Sequence, residues 1–495
     1  MNPSGRDQWQ AYLDELDTRM AHARSMGGED KLSKQHNKGH LDVRQRIQAL
    51  CDEGSFQEYG ALVGGANPID GSSLPCDALV GGIASICGIP VVILAEDFTV
   101  KGGSIGHANN GKRLRLLELA RLQQRAVVLM LDGAGERASN ALERYPYGPN
   151  DLQQLADLHQ ELPVVAMVMG MSAGHGALTA MFADWVVMTE KSAMFTAGPA
   201  LVKASQGIDV TPTELGGIDI HTQSGVVHNR ARDDQQAITM VRDYMRLQQD
   251  APVTDAPDQT TENDILDEIL DILPADLSRS YDVRKLIQCC CDDSSWLELQ
   301  PEFGRSMVTG LCRFGGKTSL VVANQPAVMA GAITREASEK AEHWLSIAQR
   351  RNWPVVFLAD NPGVMSGPSA EQSGILKAAG RMYQAQRKLS QTKIHVTLRK
   401  AFGFGSSVMA MNGFDHQTLT LAFPNITLGG LPAQSGANAS GASDDDRDRL
   451  MASQSGAWTP ADNGSYDRVI DPRNLRQEIC KGLISDTSTK ANTCS

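Results

Sequence analysis

The sequence predicts an α/β protein that contains two tandem copies of one domain. The segment Asp42–Glu58 recurs without a gap as Asp282–Glu298, at an offset of 240, and nine of the 17 positions are identical. Within each copy, short apolar runs typical of buried parallel strands alternate with helical segments. Solenoid repeats are about 20–50 residues long, so a period this long indicates that whole domains were duplicated.

Two further pairs of segments support the duplication. Gly82–Gly103 runs parallel to Gly310–Gly331 at an offset of 228, and Pro163–Gly176 runs parallel to Thr392–Gly405 at an offset of 229. Each copy therefore has the same order: an amino-terminal helix, a β-hairpin, a crossover, and an apolar strand that opens into Gly-x-Gly. Strands that alternate with helices in this way predict right-handed ββα or βαβ units.

The domain boundaries follow from composition. Asp250–Asp276 holds nine carboxylates and no lysine or arginine, and three prolines interrupt it. Such a segment is typical of an exposed linker. We expect a first domain at residues 1–250, an acidic linker at 251–281 and a second domain at 282–495.

The elements of the first copy are predicted in order from apolar periodicity and turn residues. A hairpin is indicated by two β-rich runs on either side of Cys87-Gly88. The expected elements are helix at about 8–50, the hairpin within Cys76–Asp97, helix at about 112–124, strand Ala126–Leu131, helix at about 151–161 and strand Val164–Met169.

Composition excludes several classes of protein. A net charge of -12 argues against a general nucleic-acid binder. No apolar run approaches the length of a membrane span, and the first residues lack a signal peptide, so we expect a cytoplasmic protein without a membrane anchor. The run Cys289–Cys291 corresponds to Ala49, Leu50 and Cys51 in the first copy, which favours small buried side chains over a metal or redox site.

The candidate chemistry lies at the two Gly-x-Gly turns. Gly174-His175-Gly176 and Gly403-Phe404-Gly405 each follow a buried strand. Glycines at a strand-to-helix turn let backbone amides approach a ligand, and such amides can form an oxyanion hole. The alternative is a tight turn in which glycine serves packing alone; recurrence at one offset favours the oxyanion hole.

Side chains suited to acid–base or nucleophilic catalysis are scarce. The sequence contains no G-x-S-x-G, H-E-x-x-H or Walker lysine motif. His175 could be a general base, although a single histidine beside a turn is more often structural. Two amide-lined pockets of this kind suit a reaction whose substrate supplies its own base.

These features resemble the carboxyltransferase β-subunits of biotin-dependent acyl-CoA carboxylases, of the propionyl-CoA and methylcrotonyl-CoA carboxylase type. The similarity runs from about residue 30 to residue 480, and its most specific segments are Glu96–Gly106 (EDFTVKGGSIG) and Asp360–Gly374 (DNPGVMSGPSAEQSG). Further segments that carry it are Arg46–Glu58, Glu214–Gly225, Asp267–Arg284, Leu398–Gly405 and Val469–Arg476.

The resemblance implies two tandem crotonase-like domains of the ββα superhelix type. It implies that the first domain binds an acyl-CoA thioester, that the second binds biotin, and that dimers assemble into a hexamer. Carboxybiotin would arrive on a carrier protein, supplied by a separate biotin carboxylase subunit, because this chain has no M-K-M biotinylation segment and no ATP-grasp domain.

Site residues are carried over by position. The thioester oxyanion hole falls on Gly174, His175 and Gly176, and the ureido hole falls on Gly403, Phe404 and Gly405. The resemblance places CoA or biotin contacts at these further positions: Lys112, Arg137, Gly103, Gly363, Gly429 and Gly430. Lys112 and Arg137 could meet CoA phosphates or could be surface charges.

The chain departs from the family at both holes, because His175 and Phe404 stand where the family has glycine. Three functions therefore stay open. The first is carboxylation of an acyl-CoA; the second is the same transfer in reverse, in a biotin-dependent acyl-CoA decarboxylase; the third is a non-catalytic scaffold subunit.

Overall fold

The computed structural model divides into two units, Met1–Arg246 and Leu247–Ser495. It describes residues 5–64, 74–138, 140, 150–251, 266–413, 415–432, 436, 438, 441 and 443–484. Residues 252–265 of the expected linker lie outside the described residues, so the boundaries at 250 and 281 stay predictions. Each unit is α/β and holds one eight-stranded sheet.

The sheet of the first unit has the strand order β1-β2-β3-β4-β5-β6-β8, with β7 also paired to β5. Strands β1 to β3 are antiparallel neighbours, and the remaining pairs are parallel. The strands are β1 (Gln57–Glu58), β2 (Leu79–Ile86), β3 (Ile89–Glu96), β4 (Ala126–Gly133), β5 (Val164–Ala173), β6 (Trp185–Thr189), β7 (Ala193–Phe195) and β8 (Asn229–Ala231).

The sheet of the second unit has the order β16-β14-β13-β12-β11-β10-β9, with β15 also paired to β13. Its strands β9 to β11 are again antiparallel, and the others are parallel. The strands are β9 (Leu297–Leu299), β10 (Met307–Phe314), β11 (Lys317–Asn324), β12 (Val355–Asn361), β13 (Lys393–Phe402), β14 (Leu419–Ala422), β15 (Thr427–Gly429) and β16 (Arg468–Val469).

Helices link the strands in both units. In the first unit they are α1 (Gly5–Arg24), α2 (Glu29–Asn37), α3 (Val43–Leu50), α4 (His107–Gln123), α5 (Asp151–Glu161), α6 (Gly174–Thr179), α7 (Pro199–Gln206), α8 (Pro212–Gly216), α9 (Ile218–Ser224) and α10 (Asp234–Arg246). In the second unit they are α11 (Glu268–Ile272), α12 (Val283–Cys290), α13 (Arg335–Arg351), α14 (Pro368–Ser373), α15 (Ile375–Lys388), α16 (Gly403–Val408), α17 (Asp444–Gln454), α18 (Trp458–Asp462) and α19 (Leu475–Ile484).

The duplication seen in the sequence extends to the element boundaries. An offset of 228 carries β2 onto β10, β3 onto β11 and α4 onto α13, with both ends of each element matching. An offset of 229 does the same for β5 and β13. The hairpin and the crossover helix therefore kept their lengths in both copies, which confirms the predicted order of elements.

Equivalent side chains also make equivalent contacts. Arg44 bonds both carboxylate oxygens of Glu58 from its two terminal nitrogens, and in the second copy Nε and Nη2 of Arg284 bond both oxygens of Glu298. The turn of the first hairpin is held by Asp52, which accepts from two backbone amides in β2–β3, and Asp292 does the same in the second hairpin. These pairs fix α3 and α12 against their sheets.

The predicted single helix over residues 8–50 is wrong, because this stretch forms the three helices α1, α2 and α3. The first break falls at Gly27 and Gly28, where Gly28 has a φ of +87°. A Cβ atom on Gly27 would lie 2.1 Å from the carbonyl oxygen of Thr99. Position 27 therefore requires glycine, because any side chain there would collide with Thr99. This close packing lets α2 start beside the loop after β3.

Each sheet is buried under its helices. The four central strands of the first sheet are almost wholly inaccessible, and residues such as Val92, Leu129 and Val168 are 0% exposed. The second core is built alike and includes the end of the expected linker, since Ile269 on α11 is fully buried. Burial of these apolar strands supplies most of the stability that holds the turns at their ends.

Candidate functional site

The first candidate turn joins β5 to α6. Ala173 ends the strand and Gly174 begins the helix with a φ of +52°. This conformation is in the left-handed region, which glycine adopts without steric cost. Ala173 provides no side-chain cap for the helix, so the first amides of α6 have no side-chain acceptor at that position to donate to.

Gly135 lies against this turn. A Cβ atom there would be 2.4 Å from the carbonyl oxygen of Ala173 and 3.7 Å from the amide nitrogen of His175. Gly135 was not among the site residues predicted from the sequence. The repeat contained the signal, because an offset of 228 relates Gly135 to the predicted Gly363.

The side chain of His175 points to a buried carboxylate. Its Nε2 lies 2.5 Å from Oδ1 of Asp151, whose other oxygen is 3.2 Å from Arg113. Arg113 in turn contacts Glu96 at 2.5 Å. The ring of His175 is therefore held by a chain of buried charged side chains that runs through Asp151 and Arg113 to Glu96. The sequence analysis did not predict this chain.

The two carboxylates of this chain have pKa values shifted in opposite directions. Burial raises the pKa of Asp151, but hydrogen bonds and charge attraction from His175 and Arg113 outweigh it, so the pKa lies below its usual range. For Glu96 burial dominates and the pKa is raised. Glu96 also accepts the backbone N–H of Asp132 at 2.8 Å, which ties the chain to the end of β4.

The second candidate turn has the same backbone form. Gly403 begins α16 directly after β13, with a φ of +53°, and Phe402 supplies no side-chain cap. A Cβ atom on Gly403 would lie 2.8 Å from the carbonyl oxygen of Gly430, and one on Gly405 would lie 2.7 Å from Cα of Gly363. The structure therefore brings these four predicted glycines together.

Phe404 lies at the surface of the second unit, with 42% of the residue exposed. Its ring centroid is 6.0 Å from that of Tyr383, at an angle of 47°. His175 and Phe404 occupy equivalent turns, so the same backbone supports a tethered polar ring in one unit and an exposed aromatic pair in the other.

Two further predicted glycines are close-packed positions near these turns. Gly429 is in β15 beside Phe402 of β13, and its Cβ would be 2.7 Å from Nε2 of Gln454. Gly103 has a φ of +66°, and its Cβ would be 2.2 Å from the carbonyl oxygen of Asp132. A side chain at position 103 would collide with the backbone of β4, whereas one at position 429 would have to displace the side chain of Gln454.

Lys112 is buried, with 5% of the residue exposed, and its Nζ donates to the carbonyl oxygen of Leu79 at 2.6 Å. Lys340, at the equivalent position of the second copy, donates to Met307 O at 2.8 Å and to Phe303 O at 3.0 Å. The lysine therefore fastens the crossover helix to the start of a strand in both copies. Its predicted contact with CoA phosphate stays a prediction that this geometry does not favour.

Arg137 is also engaged inside its unit. Nη1 lies 2.6 Å from Oδ1 of Asp77, and Nη2 donates to the backbone oxygen of Ser104 at 2.8 Å. Its predicted role in CoA binding stays a prediction, and a ligand would have to compete with Asp77 for the guanidinium.

The described residues form neither a metal site nor a membrane-spanning helix. In that part of the chain, no three histidine, cysteine or acidic side chains come together as metal ligands. Cys290 is buried in the core of the second unit, and burial raises the pKa of its thiol well above the ordinary value. None of the helices described is long and apolar enough to cross a lipid bilayer.

Comparison with known proteins identifies the family. The family model for the carboxyl transferase domain matches residues 34–493. The chain belongs to this family. Its similarity to the carboxyltransferase subunits of biotin-dependent acyl-CoA carboxylases, expected from the sequence, is confirmed.

Several characterised relatives cover nearly the whole chain. The methylmalonyl-CoA carboxyltransferase 12S subunit of Propionibacterium freudenreichii subsp. shermanii is 32% identical over 92% of this chain and 90% of its own length. The biotin-dependent acetyl-/propionyl-coenzyme A carboxylase beta5 subunit of Mycobacterium tuberculosis is 31% identical, over 95% and 91%. The methylmalonyl-CoA decarboxylase subunit alpha of Veillonella parvula is 29% identical, over 98% and 97%.

The fold agrees with the family. A crystal structure of transcarboxylase 12S with methylmalonyl-coenzyme A and methylmalonic acid bound superposes with a TM-score of 0.89 at 28% identity, covering 97% of this chain and 96% of that one. The prediction of two tandem crotonase-like domains is confirmed.

Proposed function

We propose that this chain transfers a carboxyl group from carboxybiotin, held on a partner carrier protein, to the α-carbon, or the vinylogous γ-carbon, of an acyl-CoA. The main support is the equivalence of the two turns: Gly174 and Gly403 begin equivalent helices with φ angles of +52° and +53°. Membership of the carboxyl transferase family supplies the reaction class.

Each turn has a separate task in this proposal. The amides of Gly174–Gly176 bind the thioester oxygen, whose negative charge grows as the α-proton leaves. The amides of Gly403–Gly405 bind the ureido oxygen of biotin. A fixed amide donor of this kind contributes about 3–4 kcal/mol of transition-state stabilisation, so the reaction needs no acid or base side chain from the protein.

A flat cyclic urea would need open space beside the second turn. A Cβ atom on Gly430 would meet no atom within 4 Å, which leaves that side open, whereas one on Gly403 would lie 2.8 Å from the carbonyl oxygen of Gly430. The exposed ring of Phe404 borders the turn without being buried in it. Carboxybiotin would supply the carboxyl group and, after losing it, the base that takes the α-proton.

The proposal extends to the assembly. A biotin carboxylase with its biotinylated carrier must provide carboxybiotin, and a homo-oligomer built from dimers is expected, as in the relative whose structure is described as a hexamer assembly.

The test is incorporation of radiolabelled bicarbonate. The purified chain is mixed with ATP, a biotin carboxylase, its biotinylated carrier and a panel of short-, branched- and long-chain acyl-CoAs. We expect acid-stable label in at least one acyl-CoA. The proposal fails if no substrate is labelled although the partner carboxylates its own biotin.

Binding separates an enzyme from a scaffold subunit. In isothermal titration, an active transferase binds both an acyl-CoA and free biotin, whereas a scaffold binds neither. The decarboxylase function is retained as a second candidate because a decarboxylase subunit is similar over 98% of the chain. Transfer of label from a carboxyl-labelled acyl-CoA to the biotin of free carrier measures that direction.

A further inference from the structure

A cavity of about 450 Å³ lies in the second unit, at the end of the sheet opposite the second candidate turn. Thr392 and Thr418 line it, and they directly precede β13 and β14. Strand β13 is ten residues long and ends at the turn, so about 30 Å of strand separates the cavity from Gly403. The cavity is therefore not part of the site proposed for biotin.

The wall of this cavity is basic. It includes two cationic side chains, one histidine and three neutral polar side chains, which are Arg387 and Lys388, His416, and Ser390, Gln391 and Thr418. None of the described residues that line it is acidic. We call it the basic cavity, and its volume is within the range of about 300–1,000 Å³ found for small-molecule sites.

The carboxylate beside the cavity is engaged by other groups. Asp415 is buried, and its Oδ1 lies 3.4 Å from Nε of Arg387. It also accepts from the hydroxyl of Tyr383 at 3.2 Å and from Nε2 of Gln386 at 3.3 Å. Asp415 therefore offsets part of the charge of Arg387, and it does not line the cavity.

Thr418 occupies a position that holds a carboxylate in the first copy. Its Oγ1 accepts the backbone N–H of Lys393, the first residue of β13, at 3.2 Å. In the first copy, Oδ2 of Asp184 accepts the backbone N–H of Val164, the first residue of β5, at the same distance. Because an offset of 229 relates β5 to β13, Asp184 and Thr418 are equivalent, and the second copy has a neutral hydroxyl in place of the negative charge.

The basic side chain that faces this position is present in both copies. Oδ1 of Asp184 lies 3.5 Å from Nδ1 of His159. At the same offset of 229, His159 corresponds to Lys388, which lines the basic cavity together with Thr418. Among the residues that the structure describes, Lys388 forms no ion pair with a carboxylate. The second copy therefore keeps the basic side chain and lacks its counter-charge.

A buried amide gives a second, independent indication of a ligand. Gln391 and its equivalent Leu162 are each 5% exposed. Oε1 of Gln391 accepts the backbone N–H of Ser390 at 3.1 Å, but Nε2 has no hydrogen-bond partner in the part of the chain that the structure describes. An unpaired buried donor costs free energy, and leucine avoids that cost in the first copy. An oxyanion in the cavity would give this nitrogen an acceptor.

We propose that the basic cavity binds a phosphoryl group, either as free phosphate or as a small phosphate ester. The donors on its wall are the ammonium of Lys388, the guanidinium of Arg387, the amide of Gln391 and the hydroxyls of Ser390 and Thr418. So many donors suit the several oxygens of a phosphate, and charged donors form the stronger hydrogen bonds to it. The site goes beyond the transfer reaction and does not depend on the proposed function.

The test is isothermal titration of the full-length chain with inorganic phosphate and with glycerol 3-phosphate, at an ionic strength held constant with sodium chloride. We expect saturable binding of at least one of the two. Tighter binding of inorganic phosphate identifies a site for the free anion, and tighter binding of the ester identifies a site for a phosphorylated small molecule.

Two substitutions give the cavity the residues of the first copy. Thr418→Asp restores the carboxylate beside Lys388, and Gln391→Leu removes the unpaired amide without a change of charge. Each should weaken binding at least about tenfold, because a hydrogen bond to a charged group is lost. Thr418→Ser keeps the hydroxyl and should bind as tightly as wild type.

A charge variant and its control complete the set. Lys388→Ala should also weaken binding at least about tenfold, whereas Lys285→Ala, which removes an exposed lysine of α12, should leave it unchanged. Inorganic phosphate should raise the urea midpoint of wild type and should not raise that of Gln391→Leu, since a ligand stabilises only the protein that binds it.

Two outcomes would overturn the proposal. One is that neither anion binds saturably to wild type. The other is that Gln391→Leu and Thr418→Asp, shown to be folded by circular dichroism, bind phosphate as tightly as wild type. That result would mean that phosphate is attracted only by the surface charge of this face and not by a site.

Discussion

His175 and Asp151 are joined by a contact of 2.5 Å between Nε2 and Oδ1, and Arg113 holds the other oxygen of the same carboxylate. The imidazole is thus directed toward the buried carboxylate below the turn. Because the backbone N–H of His175 belongs to the turn itself, the residue can serve the site through its main chain while its ring fixes the turn.

His175→Ala should therefore retain turnover within about tenfold of wild type, and should lower stability by about 1.5–3 kcal/mol because one hydrogen bond to a charged group is lost. Steady-state kinetics of bicarbonate fixation and urea unfolding measure the two effects. A loss of turnover near 1,000-fold with an intact fold would instead identify the imidazole as an acid–base group, since such catalysis contributes about 10²–10⁴-fold.

Alanine substitutions at the second glycine of each turn should differ. A Cβ atom on Gly405 would lie 2.2 Å from Oδ1 of Asn361, whereas one on Gly176 would lie 3.4 Å from Oε1 of Glu96. Gly405→Ala should cost at least about 100-fold in transfer, the effect of losing one oxyanion donor. Gly176→Ala should stay within about tenfold of wild type.

Circular dichroism and size-exclusion chromatography should show both glycine variants folded and assembled. Equal activities of Gly405→Ala and Gly176→Ala would contradict the role assigned to the second turn.

Arg399 should be essential for stability. It is 1% exposed, its Nε donates to Asp360 at 2.7 Å, and its Nη1 donates to the carbonyl oxygen of Arg279 at 2.8 Å. Arg399→Leu leaves the Asp360 carboxylate buried without its partner, which should cost about 3–5 kcal/mol. Urea unfolding measures the loss.

Limited proteolysis should also show faster cleavage around residues 274–281 in Arg399→Leu, since its guanidinium holds that segment. Arg447→Gln, which removes a guanidinium from the pairs on α17, is the control and should change stability by less than about 0.5 kcal/mol. Equal stability of the two variants would contradict the structural role of Arg399.

Lys340 should make stability depend on pH. Burial lowers the pKa of Lys340 to about 7. The folded state then binds fewer protons than the unfolded state between about pH 7 and the ordinary lysine pKa near 10.4, so stability rises with pH across that interval and levels off below about pH 7.

Removing the ammonium should remove this dependence. The difference in unfolding free energy between wild type and Lys340→Met should grow by about 2 kcal/mol from pH 7 to pH 9, measured by urea unfolding at several pH values. A difference that stays constant with pH would show that the ammonium remains charged in the fold, supported by its two carbonyl acceptors.

The duplication and the alternation of strands and helices were predictable because they are periodic and local in the sequence. The position of the turns followed from the same repeat. The prediction of a single amino-terminal helix was wrong because the break at Gly27 depends on close packing against Thr99, which is distant in sequence. The chain from His175 to Glu96 was missed for the same reason, since its members come from four separate elements.

Lys112 illustrates a signal that was present in the sequence. Its equivalent at an offset of 228 is also a lysine, Lys340, although the two units are expected to bind different ligands. A side chain retained in both copies favours a role in the shared fold, and the common carbonyl contacts agree with that role.

The unlike side chains of His175 and Phe404 on matching backbones have an evolutionary consequence. A backbone N–H is present whichever non-proline residue occupies the position. Substitutions at these two positions can therefore change the side chains beside each turn and leave its backbone N–H groups in place. Selection for a new acyl chain or a new carrier could therefore act on the side chains at positions 175 and 404 while the backbone donors of the turns are inherited unchanged.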